Sequence, residues 1–360
     1  MSATYTGRRV YMTNLTETSY YARRAINWLI LGVIAYILLR IIWAIMISAI
    51  MYLFPPKAPP PNHAFGVLPR VKFPDQASPS ATITFKLETI EGNVPRASES
   101  ATVYFMPKQA ANLLALPRTQ QFADKLRFNP KEIQETKNLY RFNDQEFPLR
   151  TLRYDIITNN FTLQYAYGYD QSIFTRETLT TDAAMQEAKN FFSNNSLMPS
   201  DFSQDNFSAS YLTLVGDRLT DTPSITQANA TRVNTRRSNI GGVPIYYPDP
   251  EISPISIVFS GSPIEKKKIL SVSYTYWPIE YQTHATYKIK QSQLAWQELQ
   301  KGGGYIAHYP KEGTTITVRS VHLGYYDSVT PQTYLQPIFV FEGDDGFLGF
   351  VPAVSPPWVE

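Results

Sequence analysis

The residues that could do chemistry are few and far apart in this chain. It contains no cysteine, which removes thiolate chemistry and cysteine-ligated zinc. No GxSxG elbow, P-loop or GxGxxG motif is present. The four histidines are widely separated, and none lies in an HExxH or similar spacing: His63, His284, His308 and His322. We therefore expect no catalytic residue, no metal ligand and no cofactor-binding residue.

Acidic residues near the C-terminal end allow one further interpretation. Glu342, Asp344 and Asp345 in "FEGDDGFLGF" could offer oxygen ligands to calcium, but the closing Glu of an EF-hand loop is absent. The pair Asp345-Gly346 lies between two segments in which apolar residues occupy alternate positions. This pattern is typical of a hairpin turn. The sequence favours the turn over the ion site.

The charge distribution does not indicate a nucleic-acid partner. Residues 62–360 carry 27 basic and 29 acidic side chains, a net charge of −2, so this part of the chain lacks the basic footprint that nucleic acid requires. The basic cluster "RVNTRR" contains Arg232, Arg236 and Arg237. We interpret it as a solvated face rather than a phosphate-binding site.

The segment 25–54, "AINWLILGVIAYILLRIIWAIMISAIMYLF", has a single charge and exceeds the length needed to span a bilayer. Because no small-residue cleavage site is evident, we expect an uncleaved signal anchor. The arginines at 8, 9, 23 and 24 precede the segment, and the positive-inside rule places residues 1–24 in the cytoplasm. The sequence predicts a single-pass protein of the cell membrane whose C-terminal part is extracytoplasmic.

Three residues of this segment are candidates for contact with a partner's membrane helix. A charge at the centre of a membrane helix costs about 2.5 to 3.5 kcal/mol on insertion scales. Arg40 could pair with an acidic residue of a partner helix, or it could reach the cytoplasmic interface by snorkelling. Ala44 and Ser48, four residues apart, could allow a second helix to approach closely. The prolines of segment 55–62 then predict an extended stalk.

Beyond the stalk, the pattern is that of an α+β fold with mainly antiparallel sheets. Apolar and polar residues alternate over 152–156 and 161–167, and Asn159-Asn160 between them can form a tight turn, so we predict a hairpin with one polar face. Short helices are predicted near 118–126, 180–190 and 291–301, with a fourth possible at 222–233.

Two helical segments resemble each other at a spacing of 111 residues. "TTDAAMQEAKN" from Thr180 to Asn190 aligns with "QSQLAWQELQK" from Gln291 to Lys301, and each begins with a predicted Thr or Ser N-cap. Each also follows a tyrosine-rich strand. A strand-then-helix unit used twice predicts two related subdomains, 63–200 and 201–360, although chance similarity is the alternative.

The segment 316–347, "ITVRSVHLGYYDSVTPQTYLQPIFVFEGDDGF", together with "QLAWQEL" before it, resembles the C-terminal repeat of the YycH/YycI family of membrane-anchored regulators. The same plan is similar to PepSY-type modules. The resemblance implies an extracytoplasmic α+β unit that regulates a sensor histidine kinase through membrane-helix and exterior contacts. It also implies structural roles for the following residues: Gly324, Tyr325, Tyr326, Pro337 and Phe339.

We therefore expect a non-catalytic, membrane-anchored extracytoplasmic protein that binds or regulates another cell-envelope protein. Its expected partners are the bilayer and another envelope or membrane protein, and not nucleic acid. Two alternatives stay open: a structural subunit of an envelope or surface assembly, and a tethered cell-wall or glycan-binding domain whose strand tyrosines would stack on sugars. The sequence gives no oligomeric state.

Overall fold

The computed structural model describes residues 15–53, 60–76, 83–110, 112–174, 176–310 and 314–360, with the main chain alone at 15–19, 21–22, 48–53 and 204. The chain divides into two units, Met1–Ala58 and Pro59–Glu360. The helices are α1 (Leu15–Leu53), α2 (Ala115–Lys125), α3 (Thr181–Asn194), α4 (Glu265–Lys268) and α5 (Ser292–Gln300).

The first unit contributes one long helix, α1, of 39 residues. Its segment Arg23–Ile47 has 25 residues and a mean hydropathy of 2.5, and is long and apolar enough to cross a membrane. At 1.5 Å per residue such a segment is about 37 Å long, which exceeds the hydrocarbon thickness of about 30 Å. This helix is a candidate single-pass membrane anchor.

The predicted stalk and tail fall largely outside the described residues, which omit 1–14 and 54–59. The last residues of the predicted stalk, from Pro60, are part of the second unit. The main-chain N–H of Asn62 donates to Thr286 O at 3.1 Å, and the N–H of Thr286 donates back to Asn62 Oδ1 at 3.0 Å. Asn62 therefore extends the edge of a strand as a pairing residue would.

The second unit is built from strands. In chain order they are β1 (Thr84–Leu87), β2 (Ser100–Phe105), β3 (Ile133–Gln134), β4 (Leu139–Asn143), β5 (Arg150–Asp155), β6 (Phe161–Tyr165), β7 (Phe202–Val215), β8 (Arg218–Thr222), β9 (Ala230–Arg237), β10 (Ile245–Tyr246), β11 (Ile255–Ser260), β12 (Ile269–Tyr274), β13 (Glu280–Lys288), β14 (Tyr305–His308), β15 (Thr315–Tyr326), β16 (Tyr334–Gly343) and β17 (Leu348–Pro352).

The described strands form two sheets. The first has eight strands in the order β1-β15-β16-β17-β14, with β10 also on β15 and with β2 paired to β13 and β16. The second has nine strands in the order β3-β4-β5-β6-β12-β11-β9-β7-β8. Only β1 and β10 run parallel to a described neighbour, which is β15 in both cases. The predicted α+β fold with mainly antiparallel sheets is confirmed.

The second sheet is inserted in the sequence between two paired strands of the first. Strands β2 and β13 pair with each other, and the strands between them, except β10, belong to the second sheet. That sheet takes β3 to β6 from before residue 200, and β7 to β9 with β11 and β12 from after it. The division at residue 200 and the relation between two halves stay predictions.

Helix α3 covers one face of the second sheet. Its buried residues Ala184, Ala188 and Phe192 belong to a core with strand residues such as Leu163 and Val272. Burial alternates along β5 and β6, and Asn159 in the turn between them has a φ of 58°. The predicted hairpin with one polar face is therefore confirmed.

Helix α5 packs on the first sheet in a comparable way. Ala295, Trp296 and Leu299 form a core with Phe339 and Phe341. The predicted Thr N-cap is confirmed for α3, whereas the predicted Ser N-cap of α5 is wrong. The hydroxyl of Thr180 accepts from Ala183 N at 3.4 Å, whereas Gln291 occupies the N-cap of α5 without a side-chain bond and Ser292 lies inside the helix.

The possible helix at 222–233 is wrong. The segment holds a short 3-10 turn at Ile225–Gln227 and then enters strand β9. In that strand the β-branched residues Thr231, Val233 and Thr235 recur at every second position, which suits a strand. Pairing with β7 on one side and β11 on the other fixes it in the interior of the sheet.

Candidate functional site

The structure places the residues predicted from the membrane segment along α1. Arg40 and Ala44 are exposed on the helix. Ser48 is helical, but its side chain lies outside the described part of the chain. Residues four apart share one face of a helix, so the three positions form a stripe. Their assignment to partner binding stays a prediction.

Gly324, on β15, lies where no side chain fits. A Cβ at this position would be 2.7 Å from Tyr246 Cδ2 and 2.9 Å from Val340 Cγ2. The ring of Tyr246, from the parallel strand β10, crosses over this glycine. The role of Gly324 is therefore close approach between two strands.

The other residues of this motif lie in the hydrophobic core. Tyr325, Tyr326 and Phe339 are buried in three different clusters. Pro337 pairs with Tyr325 across β15 and β16, and its carbonyl accepts from Ala353 N at 3.0 Å. These side chains offer no surface to a ligand.

The acidic run at 342–345 forms the predicted turn. Strand β16 ends at Gly343 and β17 begins at Leu348, with Asp345 at a φ of 53° and Gly346 at 74°. The carboxylate of Asp344 accepts from Arg319 Nε at 2.9 Å and from Nη2 at 2.8 Å. Arg319 therefore occupies both oxygens of Asp344, one of the three carboxylates considered as calcium ligands.

The main polar centre of the second unit is built around Arg237, at the end of β9. Its side chain is 1% exposed and lies beside the carboxylates of Asp201 and Asp327, which are 7% and 5% exposed. Nε donates to Asp327 Oδ2 at 2.7 Å, Nη1 donates to Asp201, and Nη2 donates to the carbonyl of Trp277. We call these residues the Arg237 centre.

Tyrosines complete the Arg237 centre. The hydroxyl of Tyr276 donates to Asp201 Oδ1 at 3.2 Å, and that of Tyr281 donates to Asp201 Oδ2 at 3.1 Å. The guanidinium of Arg237 also lies 4.6 Å from the ring centroid of Tyr276. Because Arg237 lies in the second sheet and Asp327 directly follows β15 of the first, the centre joins the two sheets.

Charge in the centre is not balanced, because two carboxylates share one guanidinium. Burial raises the pKa of Asp327 above its usual range, despite the attraction of Arg237. Burial by itself would lower the pKa of Arg237, but the carboxylates of Asp327 and Asp201 outweigh it and raise that pKa. Oδ1 of Asp327 has no hydrogen-bond partner among the described residues. Asp327 is thus the group of the centre whose hydrogen bonds are incompletely satisfied.

Two open clefts adjoin the Arg237 centre. One of about 470 Å³ is lined by Asp201, Tyr281 and Ile240, among others. The other, of about 780 Å³, lies between β7 and β10 and is lined by Phe207, Tyr246 and polar neighbours. The carboxylate of Asp201 accepts three hydrogen bonds, from Arg237, Tyr276 and Tyr281, and these occupy most of its lone pairs.

The cluster "RVNTRR" does not form the solvated face that we predicted. Arg232 is 8% exposed and donates to Asp221 Oδ2 at 3.0 Å, Arg236 donates to the carbonyl of Pro250, and Arg237 is buried. The prediction was wrong because the partners of these arginines lie on other strands and loops. An arginine within an alternating β-branched segment was the available signal for a buried, paired charge.

A second charged centre attaches α4 to the segment where β4 ends and β5 begins, in the second sheet. Lys266 donates to Asp144 Oδ1 at 3.2 Å, and Arg150 donates to Asp144 Oδ2 at 3.1 Å, while Asp144 is 1% exposed. Burial alone would raise the pKa of Asp144, but the N–H of Phe147 and these two cations outweigh it and lower that pKa. Lys267 pairs with Asp170 at 2.7 Å. The consecutive lysines of α4 are therefore used for structure.

A third polar group, partly exposed, holds the residue types of a hydrolytic site. Ser320 Oγ lies 3.3 Å from His322 Nδ1, and Tyr246 lies 2.8 Å from His322 Nε2. The hydroxyl of Tyr246 donates to Glu342 Oε1 at 3.0 Å, while Glu342 Oε1 is 3.9 Å from His322 Nε2. The tyrosine thus stands between the imidazole and the carboxylate, unlike the direct contact of a Ser-His-acid triad.

Metal ligands do not gather in the described residues, which contain no group of three or more His, Asp or Glu side chains able to hold a metal ion. His63 stacks on Trp358 with ring centroids 3.7 Å apart. His284 approaches the carbonyl of Tyr281 at 3.1 Å, and His308 lies near Glu251 at 3.9 Å. These three histidines and His322 occupy separate places.

Several of the strand tyrosines considered for stacking on sugars are buried. Tyr154, Tyr165 and Tyr274 are 8%, 3% and 8% exposed. Burial raises the pKa of Tyr154 to about 12, because the phenolate would lie in an apolar core. Tyr169, in a 3-10 turn outside the strands, is 87% exposed. These three strand rings pack in the core instead of forming a row on the surface.

Comparisons with known proteins do not assign a family to this chain. No protein-family model matches it. A search of curated proteins also finds no match. The crystal structure of an uncharacterized protein from Eubacterium rectale is similar at 13% sequence identity and a TM-score of 0.38, covering 70% of this chain and 81% of that one. The resemblance to YycH/YycI-type and PepSY-type proteins stays a prediction.

Proposed function

We propose that this protein is anchored in the cell membrane by α1 and that its second unit binds or regulates another cell-envelope protein without catalysing a reaction. The observation that carries the proposal is the state of the buried charges. Asp201, Asp144 and Arg237 are each held by two or more partners. A general acid or base needs a lone pair or proton that is free for the substrate.

The proposed location is supported by α1 and its flanking charges. The apolar segment is long enough to span a bilayer, and Arg23 and Arg24 lie at its N-terminal end. By the positive-inside rule the N-terminus would be cytoplasmic and the second unit extracytoplasmic. A near-neutral unit in that place is suited to protein contacts rather than to nucleic acid.

The partner would meet the protein at two levels. Within the membrane, Arg40 offers a charge to an acidic side chain on a neighbouring helix, and a buried pair of this kind offsets much of the cost of each charge. The resemblance to YycH/YycI regulators supports a sensor kinase as that neighbour. A structural subunit of an envelope assembly is the alternative, and it would co-purify with several components.

One observation favours a second candidate function, hydrolysis at Ser320. His322 is placed to accept the proton of the Ser320 hydroxyl. However, the other imidazole nitrogen contacts the hydroxyl of Tyr246. The carboxylate of Glu342 accepts a hydrogen bond from that same hydroxyl instead of from the imidazole. We therefore give this arrangement a structural role, joining β10 to β15 and β16.

The proposal is tested by cross-linking in native membranes followed by mass spectrometry. The wild type is compared with Arg40→Leu and with Ile41→Leu, which changes a neighbouring residue of the same helix without changing charge. We expect one membrane protein to be captured by the wild type and by Ile41→Leu, and lost in Arg40→Leu. Capture of the same protein by all three would remove Arg40 from the interface. Capture of no protein by the wild type would contradict the binding function.

A further inference from the structure

The outer edge of strand β15 has a gap between two short parallel strands. Strand β1 pairs with residues 315–318, and β10 pairs with residues 325 and 326. Residues 319–324 have no strand partner on this edge in the described part of the chain. At about 3.3 Å per residue the interval from Val318 to Tyr325 spans about 23 Å. We call this interval the β15 gap.

The direction of the main-chain groups in the β15 gap can be derived from its neighbours. Tyr325 N donates outward to Pro244 O at 2.8 Å, and Asp327 N donates outward to Tyr246 O at 2.9 Å. Pro337, opposite Tyr325, has no N–H with which to bond inward. Because successive residues of a strand direct these groups to opposite edges, the N–H and C=O of Val321 and Leu323 also face outward.

These outward groups have no partner among the described residues. Parallel pairing would have the N–H of residue 244 donate to the carbonyl of Leu323, but that residue is a proline. A cavity of about 240 Å³ lies beside the gap, lined by Pro95, Arg96, Ala97 and Ser292 together with residues of β15 and β16. The gap therefore combines free donors and acceptors with adjacent space.

An extended peptide would satisfy the unpaired main-chain groups of the β15 gap. Unpaired main-chain groups at a sheet edge are satisfied by an added strand, which gains affinity from main-chain hydrogen bonds and selectivity from side-chain contacts. Strands β1 and β10 close the two ends, so the gap limits the length of the peptide. Arg96 is exposed at the rim and forms no ion pair with another described residue, so it favours a carboxylate in the peptide.

We propose that the β15 gap binds a short extended segment of a partner protein, which adds a strand beside Val321 and Leu323 and directs an acidic side chain to Arg96. This inference rests on the proposed binding function, since it names the part of the partner that the second unit recognises. Pairing between two copies of this chain through the same edge would be a different outcome of the test.

Leu323→Pro tests the gap with little change to the sheet. The N–H that proline removes faces outward and is not used in pairing with β16, and the proline ring would enter the adjacent space. Leu323→Ala is the matched control, because it loses the same side-chain contacts and keeps the N–H. Both variants are used as the full chain in lipid nanodiscs, with melting curves to confirm that they are folded.

The probe is a phage-displayed library of random peptides of about 12 residues, selected on the wild-type full chain. We expect the enriched peptides to contain Asp or Glu, to bind Leu323→Ala like the wild type, and to bind Leu323→Pro about tenfold or more weakly. Equal binding to all three, enrichment of no peptide, or a change from dimer to monomer in Leu323→Pro without any peptide effect would overturn the proposal.

A replacement variant and a cross-linking comparison complete the test. If Leu323→Pro does not fold, Arg96→Glu at its exposed position replaces it, and the acidic peptides must then lose binding. Cross-linking separates this inference from the proposed function. A partner captured equally by the wild type and Leu323→Pro would refute the gap as its site while leaving the binding function intact.

Discussion

Replacement of Arg237 by methionine should destabilise the second unit strongly, because it leaves buried carboxylates without a counter-charge. Asp201 would keep the hydroxyl groups of Tyr276 and Tyr281. Asp327 would keep nothing, since Oδ2 accepts from Arg237 and Oδ1 has no partner in the described structure. Breaking a buried pair in this way costs about 3 to 5 kcal/mol.

The magnitude can be resolved by a double-mutant cycle with Asp327→Leu. Removal of both charges takes away the stranded carboxylate, so the double variant should be more stable than the sum of the single losses predicts, by about 1 to 3 kcal/mol. The assay is urea unfolding of the full chain in nanodiscs, followed by tryptophan fluorescence, with thermal melting as a second readout. At about 2 °C per kcal/mol, Arg237→Met should melt roughly 6 to 10 °C lower.

Two results would refute the reasoning about the Arg237 centre. One is a loss below about 1 kcal/mol in Arg237→Met, the typical size for an exposed pair. The other is additivity, in which the double variant loses the full sum of the two single changes. Either result would mean that Asp327 and Arg237 are not coupled in the folded protein.

The same centre predicts a pH dependence that can be isolated with Asp327→Asn. The folded-state pKa of Asp327 is raised above its unfolded value, so the folded protein binds the extra proton between those two values. Stability from this group is therefore lost as pH rises through that window. Asp327→Asn cannot titrate, so its stability relative to the wild type should increase with pH above about 4. A constant difference across pH would contradict this assignment.

Three other changes have defined expected outcomes. Gly324→Ala should cost about 1 to 3 kcal/mol in urea unfolding, and Tyr246→Ala should reduce that cost, since the added Cβ meets this ring; an unaffected Gly324→Ala would contradict the close approach. Asp144→Ala should cost about 3 to 5 kcal/mol, because Arg150 stays buried without a carboxylate; a loss below about 1 kcal/mol would show that Arg150 is otherwise satisfied. Ser320→Ala should not alter partner capture or generic esterase activity, and loss of an activity present in the wild type would favour the hydrolase instead.

Local features of the sequence predicted local features of the structure. The β5–β6 hairpin follows from alternation with a period of two and from Asn159, which tolerates a positive φ. The turn at Asp345-Gly346 follows from the same chemistry. These determinants lie within a few residues of the elements that they form, so one sequence is sufficient to identify them.

The polar centres could not be predicted, because their members are distant in the chain. Arg237 pairs with Asp201, 36 residues away, and with Asp327, 90 residues away. Nothing in the composition of either acidic segment indicates that partner. The need for glycine at 324 likewise comes from Tyr246 on another strand. The error at 222–233 arose because helical and strand interpretations compete in a short segment, and pairing with two neighbouring strands decided it.

The most direct test is to determine on which side of the membrane the second unit lies. The chain has no cysteine, so a single introduced cysteine reports its own location without background. Asp217→Cys lies in the exposed turn between β7 and β8, and Ser2→Cys lies in the predicted cytoplasmic tail. With a membrane-impermeant maleimide, we predict labelling of Asp217→Cys in intact cells and of Ser2→Cys only after permeabilisation. Labelling of Ser2→Cys in intact cells, with Asp217→Cys protected, would contradict an anchored extracytoplasmic unit.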